Sequence, residues 1–508
     1  MPDSPHTLAA NSRWNLLAFA FTLAAHFVTV PFVISHIGLP AFGRAGLVLA
    51  TWAPLVLVGT VLGQAATREI AEKLARADAA GAASVAATAW TLCVATSLAL
   101  GTVFVPLGPL LLNALMGGGA PAEDLEQLFL IAGCGWAAQQ GALVLQGLSA
   151  ARQDYRTVTQ VSAVAALLMI ASTLGCTAAW PSATGYLLGV SASFTALLLL
   201  WWVASRRTSG GLWPRWSFSQ TDAQALFHFG KWQTLAQLAG TVSNQIDRYL
   251  LAGIAPAAVV GQYNAANRLQ EAAYAGVMKA GDVLFPHFGA NTGQVPALQA
   301  RFFLHATWVV MTFSAAVLAP LIPLADPLLR LWAGPAVADG GALLLQTLVL
   351  GGLIGCGSNV VVYYFMGTSQ VSLLALTSMV YSVVTIVSSI YLLHTFGPYA
   401  AGAGIALASL ARVTLSLVLL KRAFAEVMAT QHLLIANILP LVASMAVVWV
   451  VSTQVPVATL QDWPSIVATY IGLSLAVLLA VTGCTATTVY GRSIFRHLAR
   501  KRRGLATE

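Results

Sequence analysis

Hydrophobic residues run through this chain in blocks of about twenty, and polar or turn-forming residues gather between the blocks. A helix rises ~1.5 Å per residue, so about twenty apolar residues cross the ~30 Å hydrocarbon core of a bilayer. Fourteen blocks meet that length: residues 14–34, 45–66, 84–104, 125–147, 156–179, 184–205, 230–252, 259–285, 302–324, 342–366, 372–394, 399–420, 433–454 and 464–490. The predicted class is an all-α polytopic membrane protein with about 14 transmembrane helices. One polar connection, "RRTSGGLWPRWSFSQTDAQALFHF" at 206–229, divides the first twelve blocks into six and six. Its Gly, Pro, Trp and Arg content predicts an amphipathic segment on the inner leaflet. The expected organisation is an N-terminal six-helix lobe over 1–205, a cytoplasmic amphipathic linker over 206–229 and a C-terminal six-helix lobe over 230–422. An extra transmembrane pair over 433–490 and a basic cytoplasmic tail over 491–508 follow. The first block lacks a small-x-small cleavage site at its end and reads as an uncleaved helix rather than a signal peptide.

Charge orients these spans. With the N-terminus inside, nineteen of the 25 basic residues fall in inner segments and two, Arg44 and Arg330, in outer loops. Six of the nineteen lie in the tail after Tyr490. This Lys/Arg skew predicts cytoplasmic N- and C-termini and an even number of spans. The tail is suited to anionic lipid headgroups and equally to a plain positive-inside anchor. The halves resemble weak repeats, since "IGLPAFGRAGL" (37–47) and "AGIAPAAVVGQY" (252–263) each follow the first span of a half. Parallel repeats place a transport site between two halves.

Composition narrows the class further. The 508 residues are 58% hydrophobic and only 8% charged, with a mean hydropathy of +0.78. Soluble domains carry about a quarter charged residues, so lipid must be part of this chain's solvent, and no nucleic-acid-binding surface is expected. The outer loops are about twenty residues at most, too short for a catalytic domain. The five cysteines have no CxxC spacing, and no metal-ligand cluster, GxSxG or phosphate-cradling GxxxxGK[ST] occurs. The chain is therefore read as no enzyme, with no catalytic residues, no metal and no cofactor beyond a coupling proton or Na+.

Ions at bilayer depth are costly and usually face protein or a wet cavity, so the charges inside spans are the candidates for function. With Arg268 at zero on a helical wheel, Asn264, Glu271, Lys279 and Asp282 fall within an arc of about 80°. With Asp247 at zero, Gln233, Gln237, Gly240 and Asn244 fall within about 80° on the preceding span. Asp247 and Arg268 differ in depth by ~5 Å across the hairpin, which suits either a cavity-facing pair or a structural ion pair. Glu271 can pair with Arg268 at i,i+3. Arg248 points about 100° from Asp247, toward the site or toward outer headgroups. Lys279 and Asp282 approach the inner interface, where snorkelling competes with function. Arg412 sits mid-span beside Ser409 and Ser416 with no carboxylate on its helix, so it needs a remote partner or an anionic ligand. His26, mid-span in the first helix, is a proton-coupling candidate or a packed histidine. Prolines 31, 54, 320, 323 and 440 predict kinks, and "GGLIGCG" (351–357) predicts close packing or a bend.

The segment "DRYLLAGIAPAAVVGQYNAANRL", the six-plus-six layout, "TREIAEKLARADAAG", "SAARQDYRTVTQ" and "FGPYAAGAGIALAS" together resemble the polysaccharide flippases. These are the Wzx-type O-unit transporters of the multidrug/oligosaccharidyl-lipid/polysaccharide (MOP) superfamily. Their pattern of an Asp late in the seventh helix, then G-x-Y-x-x-A-x-x-L, reads here as Asp247, Gly261, Tyr263, Ala266 and Leu269. The resemblance implies a MATE-like fold in a bacterial inner membrane. It further implies transport of an undecaprenyl-diphosphate-linked oligosaccharide to the outer leaflet by alternating access, with polysaccharide polymerase and assembly proteins as partners. Arginine suits a diphosphate in a low-dielectric cavity, so Arg268 and Arg412, with Asn244 and Asn264, are the expected ligands, and Asp247 and Glu271 the charge or coupling partners. The first six spans hold no mid-membrane Arg or Lys, so no cationic N-terminal lobe is expected. A multidrug exporter, a lipid II flippase and, more distantly, a membrane polymerase or ligase are the rival readings.

Overall fold

A computed structural model of the chain describes residues 5–116, 122–152, 154–208, 215–281, 296–368, 370–424, 430–454, 457 and 460–488. Among the described residues there is no β-strand, and eleven helical segments are long and apolar enough to cross a membrane. One of them, Phe27–Ala75, covers two of the expected spans. The chain divides into two compact units, Met1–Asn264 and Ala265–Glu508.

In the first unit, α1 (Pro5–Trp52) is interrupted at Gly38, whose φ of 75° only glycine adopts freely, and Pro40 follows. This kink falls at the start of the turn read over 37–47. After a 3₁₀ turn at Ala53–Leu55, carrying Pro54, α2 (Val56–Ala75) continues. Backbone groups freed by a break at membrane depth must find partners inside the protein. Buried Gln140 supplies them: the Gly59 N–H donates to its Oε1, and its Nε2 donates to the Leu55 carbonyl at 3.3 Å. The remaining helices of this unit are α3 (Ala79–Leu115), α4 (Ala122–Ala151), α5 (Tyr155–Ala179), α6 (Ala183–Thr208), α7 (Gln220–Ile254) and the first turns of α8 (Ala257–Gly281). Trp90, Cys93, Leu145 and Trp201 lie in its apolar core.

The sequence ends its first lobe at Ser205, whereas the first compact unit runs on through α7. Three hydrogen bonds account for this. The Ser84 hydroxyl donates to Asp222 at 2.6 Å, the Ser219 N–H donates to the Thr88 hydroxyl at 3.1 Å, and the Thr91 hydroxyl donates to the Ser217 carbonyl at 3.0 Å. Residues 209–214 of the predicted linker lie outside the described residues; of its later part, Trp216, Phe218 and Phe227 are exposed. The expected seventh and eighth spans are helical in α7 and α8, but neither is among the eleven apolar segments, because polar side chains recur along both.

The second unit contains α9 (Pro296–Leu318), α10 (Ala325–Ala333), α11 (Pro335–Gly355), α12 (Asn359–Gly367), α13 (Val371–Phe396), α14 (Ala403–Ala423), α15 (Thr430–Gln454) and α16 (Trp463–Thr487). Pro320 sits in a 3₁₀ turn after α9. The 351–357 glycine run does two things at once. Gly351 packs on the backbone of Ala406, and a 3₁₀ turn at Cys356–Ser358 bends the segment. Phe303, Tyr364, Phe365 and Phe424 lie in this unit's core, and all five cysteines of the chain are free.

A repeat is visible in side-chain detail. In the α5–α6 hairpin the Ser172 hydroxyl donates to the Gly189 carbonyl at 2.9 Å, and in the α13–α14 hairpin the Ser388 hydroxyl donates to the Gly404 carbonyl at 3.2 Å. Each glycine lets two backbones touch: a Cβ on Gly189 would lie 2.6 Å from Thr173 Cα, and one on Gly404 2.8 Å from the Ser389 nitrogen. Small residues permit such approach where lipid supplies no hydrophobic drive. Gly404→Val is expected to destabilise the protein by about 1–3 kcal/mol through overpacking. Thermal unfolding in detergent checks this against Gly472→Ala, a site with nothing within 4 Å, which should leave the midpoint unchanged.

Candidate functional site

The first unit gathers a buried polar cluster at the end of α7 and the start of α8. Arg248 is 7% exposed and Asp247 1%, although both stand in a helix that the sequence places in the bilayer. The Arg248 Nε donates to Asn264 Oδ1 at 2.8 Å, and its Nη1 donates to Gln245 Oε1. The guanidinium carbon lies 5.8 Å from the centre of the Tyr263 ring, a cation–π contact. The Tyr263 hydroxyl donates to Asp247 Oδ2 at 3.4 Å. An acid, a base, two amides and a phenol thus meet in a small volume, in which Asn264 Nδ2 is buried with no hydrogen-bond partner among the described residues. The cluster is brought together by close approach of α1. A Cβ on Gly46 would sit 2.1 Å from Asn264 Nδ2, and one on Gly43 2.0 Å from the Ala257 carbonyl oxygen.

The placement of Arg248 bears on a choice the sequence leaves open, between the site and the outer headgroups. A wheel angle of about 100° from Asp247 leaves it free to reach the outer headgroups. The structure turns it inward, because its long side chain reaches Asn264 on the next helix and one turn back to Gln245. Asn244, expected on the same face as Asp247, is exposed.

The second unit holds two further groups. On α8, Arg268 pairs with Glu271 at 3.5 Å, and Glu271 also accepts from Asn267 at 2.7 Å. Both members of the pair are half-exposed, which makes this a weak interaction. The carboxylate that Arg268 meets is the i,i+3 neighbour on its own helix, while Asp247 meets Tyr263.

Arg412 on α14 has a different setting. Its guanidinium carbon lies 5.6 Å from the centre of the Tyr381 ring on α13, and it interacts electrostatically with Tyr381 and with Tyr274 of α8. The Tyr274 hydroxyl donates to Asn359 Oδ1 at 3.1 Å. Arg412 Nε is buried and has no hydrogen-bond partner among the described residues. Buried Ser409 and Ser416 share its helix. Tyr274 lies six residues after Arg268, which turns the two about 120° apart on α8. Arg268 and Arg412 therefore belong to different surroundings rather than to a single cationic pair.

Lys279 and His26 are helical, but their side chains lie outside those described, and Asp282 lies outside the described residues. Tyr263, Tyr274, Tyr381, Gln245 and Asn359 are the members that charge counting misses. Tyrosines and amides at mid-span positions are the signal that would have found them. No group of three or more His, Cys, Asp or Glu placed to hold a metal occurs among the described residues. A groove of about 800 Å³ lined by α2, α3 and α7 holds none of the candidate residues; Gln220, Gln224 and His228 are among its polar lining.

Arg248→Leu is expected to leave Asn264 Oδ1 and Gln245 Oε1 without their donor, at about 1–3 kcal/mol each. Thermal unfolding in detergent should show the drop. Arg248→Lys should recover only part of it, because an ammonium cannot reproduce the fork or the ring contact.

Comparison with known proteins follows this geometry. The family described as "Polysaccharide biosynthesis protein" matches residues 8–291. No curated protein matches the chain. Among solved structures, an inward-facing multidrug resistance MATE family transporter of the MOP superfamily is similar at 15% identity and a TM-score of 0.71, over 81% of this chain and 98% of that one. The lipid II flippase MurJ, in an inward closed conformation, is similar at 11% identity and a TM-score of 0.75, over 93% and 98%. A MOP superfamily transporter from Pyrococcus furiosus, described by the reverse polarity of its binding pocket, is similar at 13% identity and a TM-score of 0.63, over 84% and 96%. At these identities the likeness shows the fold, which is of the MOP type.

Proposed function

Given that this chain belongs to the polysaccharide biosynthesis protein family, we propose that it is a flippase. Its cargo is an oligosaccharide linked to undecaprenyl diphosphate, carried from the inner to the outer leaflet of a bacterial cytoplasmic membrane by alternating access. The O-unit or exopolysaccharide repeat is the class of cargo, and the polymerase that consumes it is the natural partner.

The setting of Arg412 carries this reading. A guanidinium is always charged, and at membrane depth it is stable only when something anionic, aromatic or polar replaces water. Arg412 has two tyrosines beside it and an Nε with no acceptor. A diphosphate oxygen supplies that acceptor, and a charge-assisted bond in a low-dielectric site is stronger than its aqueous counterpart. The hydroxyls of Tyr274 and Tyr381 add donors that suit phosphate or sugar oxygens. In this reading Arg268 and Glu271 are a second, weaker contact, with Glu271 releasing Arg268 when an anion arrives. Asp247, held by Tyr263, is the group for a coupling proton or Na+.

A multidrug exporter moving cations is disfavoured by the same observation, because Arg412 repels a cationic drug. Lipid II as cargo fits the cation logic equally well, and the fold likeness to MurJ keeps it as the second reading. Arg412→Ala is expected to reduce surface polysaccharide at least tenfold in a strain depending on this gene, with normal amounts of inserted protein by membrane immunoblot. Arg412→Lys should retain partial export. Full surface polymer from the alanine variant would remove Arg412 from the mechanism. Complementing a strain that lacks lipid II export, rather than polysaccharide export, would shift the cargo to lipid II.

A further inference from the structure

A groove of about 490 Å³ lies between α5 and α6, within the first compact unit. Its lining is ordered along the helices. Thr157, Gln160 and Arg207 lie toward one end, and Val164, Leu168 and Ala196 lead away from it. The two helices form a tight hairpin, with Ala179 and Ala183 bounding the turn, so the start of α5 and the end of α6 are adjacent. From Thr157 to Leu168, and from Arg207 back to Ala196, are eleven residues each, or ~16 Å of helix. That is about half of the ~30 Å hydrocarbon core, the depth of one leaflet. Val164 is 44% exposed, so the apolar wall opens sideways rather than into the protein.

The polar end is also the basic end. Arg156 begins α5, and Arg206 stands beside Arg207 at the end of α6, with its guanidinium 5.9 Å from the Trp202 ring centre. Clustered Arg residues at span ends mark the cytoplasmic side, and a basic pocket between helices on that side suits an anionic headgroup. Trp202 adds an aromatic where span ends commonly carry one.

We propose that this groove is a binding site for an anionic phospholipid of the inner leaflet. Arg207 takes the phosphate, Thr157 and Gln160 supply polar contacts to the headgroup, and one acyl chain lies along Val164 and Leu168. A neutral apolar seam would accept any lipid. The cation at one end and the one-leaflet length together select an anionic lipid with its headgroup at the cytoplasmic face. None of the candidate transport residues lines the groove, and the proposal does not depend on the cargo.

The test uses the full-length protein in mixed micelles holding equal amounts of phosphatidylglycerol and phosphatidylcholine, with retained lipids counted by native mass spectrometry. The wild type should retain phosphatidylglycerol over phosphatidylcholine about fivefold or more, the preference one well-placed Arg confers. Arg207→Ala should lose that preference and Arg207→Lys should keep it. Val164→Trp, a lipid-facing change that fills the groove, should lower retention of both lipids. Inorganic phosphate alone should not displace the bound lipid. Equal retention of the two lipids by the wild type, unchanged preference in Arg207→Ala, unchanged retention in Val164→Trp, or displacement by phosphate alone would each overturn the proposal.

Discussion

The guanidinium of Arg248 sets the terms for the first half of this molecule. A cation removed from water must regain its hydrogen bonds from protein, or the helix carrying it will not stay in the bilayer. Arg248 regains them from Asn264 and Gln245 and rests against Tyr263. That arrangement ties the register of α7 to α8, since Arg248 donates to Asn264 across the hairpin. It also constrains α1, because Asn264 occupies the space a side chain at Gly46 would need. A second bond ties the same helices: the Tyr249 hydroxyl donates to the Ala50 carbonyl at 2.9 Å. One buried charge thus accounts for a glycine, an asparagine and the Tyr263 ring on two neighbouring helices.

The second unit follows the same rule to a different end. Its close helix contacts are built from small residues, with Gly351 against Ala406 and Gly404 against Ser389. Its charge at depth, Arg412, is given aromatic neighbours but no acceptor for Nε. Aromatic faces compensate a desolvated cation only in part, by about 0.5–2 kcal/mol. In the proposed function, an entering acceptor supplies the remainder. A binding group must be left incomplete in this way if its ligand is to be held more favourably than water, whereas Nε of Arg248 already donates to Asn264.

Much of the fold was legible because a bilayer makes element length and apolarity nearly synonymous. The helix breaks at Gly38, Pro54 and Pro320 follow from residues that cannot continue a helix or that uniquely tolerate φ > 0. The Arg268–Glu271 pair follows from i,i+3 spacing. The fate of Arg248 was not legible, because a helical wheel gives the direction of Cβ and not the reach of a long side chain. The extent of the first unit was likewise hidden. Apolar length places the seventh span at 230–252, whereas α7 begins at Gln220, and the hydroxyls of Ser84, Thr88 and Thr91 on α3 show what that earlier part is fastened to. Tyr274 and Tyr381 escaped notice because tyrosine counts as apolar in a hydropathy scan, while in a cavity its hydroxyl is the useful part.

Compensation of charge connects these local facts to cargo. Arg248 has Asp247 as its immediate neighbour in the same buried cluster, and Arg268 has Glu271 within 3.5 Å. Arg268 is offset by an ion-paired carboxylate, and Arg248 has one a single residue away in the sequence. Arg412 is set among tyrosines, whose hydroxyls are neutral and can donate to an oxygen anion as readily as the guanidinium does. Arg412 is therefore a described cation whose named neighbours are phenols rather than a carboxylate. Such a site attracts a phosphate and repels an organic cation through the same Coulomb term, strengthened in both directions by the low local dielectric. That sign is the support for the proposed cargo with a phosphate headgroup over a cationic one.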